Sequence, residues 1–166
     1  MHAVRRTLSF LTLLIAAGGL VGCSDEGGGS TRSMPQAPPA PATSRDFGDH
    51  VLHYRAFRSD EISPQIARAH GLTRSRHRAL VNIALVRKVP ETIGQPVRGE
   101  VGLAARNLLG QQKSVSIREI EDGESIYYIA ETSVSHNETV IFELEISPAD
   151  SDTTYRLSFS QQFHTR

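Results

Sequence analysis

From Phe47 to the C-terminus, apolar residues recur at every second position in short runs separated by turn residues. Side chains alternate faces along an extended chain, so this period commits the segment to strands with one buried and one wet face. Val140, Phe142, Leu144 and Ile146 point one way while Glu143 and Glu145 point the other; within 154–163, Tyr155, Leu157, Phe159 and Phe163 repeat the pattern. Pro148 and the polar run Asp150-Ser151-Asp152 separate these two strands. Further strands are expected over 51–57, 80–86 and 97–103, the last two joined by a loop holding Pro90, Gly94 and Pro96. Asp122-Gly123 suits a two-residue type I′ turn. Counting outward from it sets Glu119 opposite Ile126, Ile117 opposite Tyr128 and Val115 opposite Ala130, with Arg118 against Tyr127 on the other face. The exception to the period is 63–69, where Pro64 behind a capping Ser63 opens a short helix that stops at Gly71. Seven strands in about 120 residues predict an all-β fold: an immunoglobulin-like antiparallel β-sandwich of two packed sheets with one short helix. The pattern leaves the strand order open.

The chain ahead of this domain is of another kind. Arg5 and Arg6 precede an apolar run over 8–17, which is shorter than the roughly 20 residues of a membrane-spanning helix and reads as an export signal. The run closes on Leu20-Val21-Gly22-Cys23, which resembles the lipobox of bacterial lipoproteins. That resemblance implies a signal over residues 1–23 and a diacylglycerol on the thiol of Cys23, the first residue of the mature protein. Cys23 is the sole cysteine, so no intramolecular disulfide competes for it. Two or three acyl chains anchor stably where one does not, each buried methylene adding about 0.8 kcal/mol. The next residue is Ser24, not the Asp that signals inner-membrane retention in enteric bacteria, which points to the periplasmic face of the outer membrane. Residues 24–45 carry Gly27-Gly28-Gly29-Ser30 and then Pro35, Pro38, Pro39 and Pro41; with so little to bury, they read as a disordered tether. The folded domain is then 46–166.

Formal net charge is zero, which argues against a nucleic-acid binder that neutralises many phosphates. The zero conceals an asymmetry. Residues 45–118 hold thirteen Lys/Arg and six Asp/Glu, a balance of +7, and 119–166 hold two and ten, a balance of −8. Either the two halves pair inside the domain or its surface is bipolar.

A set of short segments bears a further resemblance. Phe47-Gly48-Asp49, Tyr54-Arg55-Ala56-Phe57, His70-Gly71-Leu72-Thr73-Arg74-Ser75 and Asn82-Ile83 are similar to the family called domain of unknown function 4426. So are Asn107-Leu108-Leu109-Gly110, Tyr127-Tyr128-Ile129-Ala130-Glu131 and the closing Ser160-Gln161-Gln162-Phe163. The resemblance covers nearly all of the chain after the tether. It implies a small exported bacterial β domain and assigns no catalytic residue; members are often simply secreted, so the lipobox changes the address.

No catalytic constellation stands out. His50 and His53 lie three apart and face opposite sides of a strand, so they cannot share a metal without a bulge. A third ligand would have to come from His70, His77 or a carboxylate, and ordinary surface or boundary histidines are the simpler reading. No serine sits in a G-x-S-x-G elbow. Asp49, Glu119 and Glu131 show no mark of a working pair, Asn137-Glu138-Thr139 has no meaning as a glycosylation site in a bacterium, and no Gly-rich loop would cradle a nucleotide. The sequence therefore predicts no enzyme, no cofactor and no metal site. Arg74, Arg76 and Arg78 alternate ahead of the strand at 80–86. If extended they share one face, where planar guanidinium forks suit carboxylates or phosphates; solvated charges at a strand end, or pairing with acids such as Glu143 and Glu145, are the alternatives. The expected function is a membrane-tethered, non-catalytic binding or accessory module of the cell envelope, whose partners are the membrane through Cys23 and another envelope protein or an anionic surface. A periplasmic carrier of a small anionic ligand or metal ion is the alternative.

Overall fold

The computed structural model describes residues 43–166. The export signal, Cys23 and the tether as far as residue 42 lie outside the described residues. Ten strands follow one another: β1 Ser44–Asp46, β2 His50–Arg58, β3 Arg78–Arg87, β4 Gln95–Pro96, β5 Gly99–Asn107, β6 Gln112–Lys113, β7 Ser116–Asp122, β8 Ser125–Ser133, β9 Glu138–Pro148 and β10 Tyr155–Phe163. Among the described residues a single helix, α1 Pro64–Ala69, sits between β2 and β3 behind one 3-10 turn at Ser59–Glu61. β1 starts at Ser44, inside the segment that composition assigns to the tether.

All pairings are antiparallel. One sheet runs β1-β2-β3-β8-β7 with β4 beside the end of β3, and the other runs β10-β9-β5-β6. Seven strands are long. Lettered A to G along the chain, they form an ABED sheet and a CFG sheet, the strand order of constant-type immunoglobulin domains.

Period two decides which face each strand buries. Ala79, Val81, Ile83 and Leu85 of β3 meet Val140, Phe142, Leu144 and Ile146 of β9 across the core. Phe142 has no exposed surface and its ring lies 5.1 Å from that of Phe159. Truncating it to Ala would cost about 3–5 kcal/mol. The in-between residues of β3, Leu80 and Asn82, turn to the outer face, where Leu80, Ala67 and Leu72 and Ile129 make a second, smaller core.

The hairpin register differs from the sequence expectation. Asp122 pairs with Ser125, so the turn is Gly123-Glu124, and Glu119 faces Tyr128 while Ile117 faces Ala130. Gly123 has φ +61° and Glu124 is not among the residues with positive φ, the sign pattern of a type II′ turn with Gly first rather than type I′. The shift is two residues, which preserves every facing while changing each partner. Arg118 therefore lies opposite Ile129, not Tyr127.

The helix forms where expected. The Ser63 hydroxyl accepts from the Ile66 N–H at 3.2 Å and Pro64 takes the first helical position. At its other end, Leu72 N–H reaches the Ala67 carbonyl at 2.8 Å and Gly71 N–H the Arg68 carbonyl at 3.4 Å, a Schellman closure.

The connections gather at two opposite ends of the strands. At the helix end lie 59–77, 108–111, 134–137 and 164–166, cross-linked by Val134 N–H to the His77 carbonyl at 2.9 Å and Thr165 N–H to His136 Nδ1 at 3.1 Å. The Arg58 guanidinium donates to the His164 carbonyl at the same end. At the far end lie 47–49, 88–94, 97–98, 123–124 and 149–154. There His50 is buried between the Tyr155 hydroxyl at 3.1 Å and Asp150 at 3.0 Å, and Arg87 also meets Asp150 at 3.3 Å.

Candidate functional site

The helix end carries the three arginines singled out by spacing, but they do not share one extended face. Residues 76–77 form a turn ahead of β3. Arg74 Nη2 donates to the Asp60 carbonyl at 2.7 Å, and exposed Arg76 makes no ion pair among the described residues. Arg78 is already on β3 and points to the outer face, where its Nη1 meets Glu131 Oε2 at 2.9 Å. The acidic partner is thus Glu131. Glu143 and Glu145 pair with Arg106 and Arg156.

Glu131 holds this corner together. It stands on β8 directly across from Leu80, with Arg78 and Arg118 as its diagonal neighbours on either side. Only 5% of it is exposed, so its charge needs partners. Arg78 supplies one and Arg118 Nη2 the other. Arg118 Nη1 continues to the carbonyls of His70 at 3.2 Å and Gly71 at 3.4 Å, where a cation suits the negative end of α1. One buried carboxylate thereby ties two strands and the helix terminus.

Beside this cluster a cleft of about 340 Å³ opens between α1 and the sheet, lined by Phe57, Ile66, Leu72, Leu80, Tyr127 and Ile129, with His70 and Asp122 at its margin. Asn82 is in its lining, and its buried Oδ1 has no hydrogen-bond partner. Arg55, paired with Asn82 across the strands, lies over the Phe57 ring at 5.6 Å instead. A buried acceptor without a donor costs about 1–3 kcal/mol.

Charge separates along the strands. The helix-end connections hold Arg68, Arg74, Arg76 and Arg166 against Asp60 and Glu61, and both acids already face Arg58. The far-end connections hold Asp49, Glu91, Glu124, Asp150 and Asp152 against Lys88 and Arg98. Partial burial, then the charges of Arg166 and His164, hold the pKa of His136 below the ordinary imidazole range.

The pattern of the family described as Domain of unknown function (DUF4426) matches residues 44–166. The chain belongs to this family. A crystal structure of a DUF4426 family protein from Pseudomonas aeruginosa PAO1 is similar to it, at 27% identity and a TM-score of 0.63, over 73% of this chain and 93% of that one. No curated protein matches the chain. The family name brings no ligand or reaction with it.

Sequence spacing found Arg74 and Arg76 but not the residues that complete this DUF4426 surface. Arg68 and Arg166 are far apart in the chain, and only the fold brings them to one end. Asn82 could have been noticed as the polar residue in the otherwise apolar run Leu80-Val81-Asn82-Ile83-Ala84-Leu85. His53 is exposed on the opposite face of β2 from buried His50. Among the described residues no three His, Cys, Asp or Glu side chains gather as a metal site.

Proposed function

We propose that this protein is a lipid-anchored, non-catalytic binding module of the bacterial cell envelope that meets an anionic surface through its helix end. The observation that carries the reading is the separation of charge: four arginines at one end of the sandwich without an acid left to pair them, and an acidic opposite end. The export signal, Cys23 and the tether supply the address. The buried ionisable groups are committed to structure, Glu131 between two arginines and His50 between Tyr155 and Asp150, which supports binding over catalysis. In cells, a photo-crosslinker at position 76 should capture an anionic neighbour, and Arg68→Gln/Arg74→Gln should abolish that capture. Full capture by the variant refutes the role of the basic end. A mature chain that stays in the aqueous phase of a detergent partition refutes the anchor.

A second reading, a small-ligand carrier, rests on the cleft beside α1. The free Asn82 acceptor asks for a ligand with an apolar body and an N–H or O–H donor, rather than an anion or a metal. Compounds of that kind should protect the wild-type domain thermally and leave Asn82→Leu unchanged; equal protection of both sinks the reading.

A further inference from the structure

We infer that the helix end rests on the bilayer itself, with Leu108 and Leu109 inserted among the lipids and the arginines of the same end on anionic headgroups. The inference deepens the proposed function and rests on it.

Leu108 is 69% and Leu109 85% exposed at the tip between β5 and β6. They are not loosely held. The Asn107 side chain accepts from Leu109 N–H at 3.0 Å and from Gln111 N–H at 2.9 Å, while its amide donates to Gln111 Oε1 at 2.6 Å. That wrapped turn presents both leucines outward. Two adjacent exposed leucines on a fixed turn, at an end bearing unpaired arginines, combine the two attractions that hold peripheral proteins on anionic membranes.

The point where the chain joins the domain agrees. Thr43 is the first described residue, its carbonyl accepts from Tyr54 N–H at 2.9 Å, and it lines a groove with Arg58 and His164. Arg58 and His164 belong to the helix end, and β1, antiparallel to β2, has its N-terminal end toward that side. The residues between Cys23 and Thr43 span at most about 70 Å of chain. A lipid on Cys23 would keep the domain at roughly millimolar effective concentration near the bilayer, and a contact too weak to hold a free domain would then be occupied.

Exposure alone does not choose the end. Ile93, on the far end, is fully exposed. It neighbours Glu91 and shares that end with four more acids, and an anionic surface repels them. Charge and the direction of β1 select Leu108 and Leu109.

The chain has no tryptophan, so one introduced indole reports its own depth. Leu109→Trp and Ile93→Trp full-length lipidated protein would each be reconstituted into vesicles of phosphatidylethanolamine and phosphatidylglycerol. The indole of Leu109→Trp should emit further to the blue and be quenched by brominated lipid about threefold more than the indole of Ile93→Trp. Adding Arg68→Gln, Arg74→Gln and Arg76→Gln should remove the difference. Leu108→Trp serves as a second reporter if the first disturbs the turn. Equal quenching at the two ends, or none at either in a chain that partitions into detergent, overturns this inference and leaves the anchor standing. A chain that does not partition overturns both.

Discussion

Arg74, Arg76 and Arg78 should separate cleanly when each is replaced by Gln. Arg78→Gln leaves Glu131 Oε2, on a carboxylate only 5% exposed, without its donor at 2.9 Å. Hydrogen bonds to charged groups are worth about 1.5–3 kcal/mol. Arg78 itself is 43% exposed, and the shallow opening beside it, lined by His77, Ser116 and Ser133, lets water reach the stranded oxygen. Those two facts bring the expected cost to about 2 kcal/mol, below the 3–5 kcal/mol of a fully buried pair. For a domain of this size that is a fall of roughly 6–8 °C in Tm. Arg74→Gln loses one exposed bond to the Asp60 carbonyl, and Arg76→Gln loses none; each should stay within about 0.5 kcal/mol. Thermal unfolding followed by circular dichroism measures all three, and a cycle with Glu131→Gln should show coupling for Arg78 alone. Equal Tm values for the three variants would refute the structural role of the Arg78–Glu131 pair. A triple variant is consequently a poor test of recognition, because it loses stability through Arg78.

Asn82→Leu should leave the fold intact and raise stability by about 1 kcal/mol, because it removes a buried acceptor that has no donor; a falling Tm would reveal a structural partner. Removing the Arg166 charge should raise the pKa of His136, read by NMR titration, and an unmoved midpoint would show that the charge does not reach it. Since the folded domain holds His136 below its ordinary value, the stability this confers is complete above the ordinary imidazole range and is lost as pH falls through the folded value, so acid unfolding should begin at lower pH in Arg166→Gln. Pro39→Val/Pro41→Val should let β1 lengthen along β2 and slow hydrogen exchange at the Ala56 amide; unchanged exchange would refute the register that places that amide on the open side.

The long strands were legible because each buries one face, and burial is what period two records. β10 falls within one residue of the expected 154–163, β9 spans its expected residues from Val140 to Ile146, and the inward residues of both are the expected ones. The short strands left no such trace. β1 is exposed along its length, and β4 contains Pro96. The end of β1 does have a physical reason in the sequence. Tyr54 N–H bonds the Thr43 carbonyl, so alternate residues of β2 turn their backbone toward β1. Continued on the register that pairs Ser44 with His53, the strand would set Pro41 opposite Ala56 and Pro39 opposite Arg58. The ladder needs an N–H at both places, and proline has none. The hairpin register failed for a local reason. Asp-Gly fits a type I′ turn, and nothing in the dipeptide says that Gly123 will instead be the first of the two turn residues. For the site, spacing could find three arginines but could not see the turn at 76–77, nor that Arg78 already belongs to the strand and to Glu131.

The charge asymmetry resolves in both of its possible ways, for one topological reason. The antiparallel Greek-key order lays strands of the basic half beside strands of the acidic half: β3 against β8, β5 against β9. Charges borne on or near strands therefore meet across the divide, as Arg78 and Arg118 with Glu131, Arg87 with Asp150, Arg98 with Glu119 and Glu121, Arg106 with Glu143, and Lys113 with Glu138. Connections have fewer such neighbours, and Arg68, Arg74, Arg76 and Arg166 at one end and Asp49, Glu91, Glu124 and Asp152 at the other make no ion pair among the described residues. Strands of nine residues hold those ends about 30 Å apart, which is roughly three screening lengths at 0.1 M salt. The acidic end is then too distant to neutralise the arginines, yet it is repelled by any anionic surface it approaches. Attraction at one end and repulsion at the other would orient the domain on such a surface.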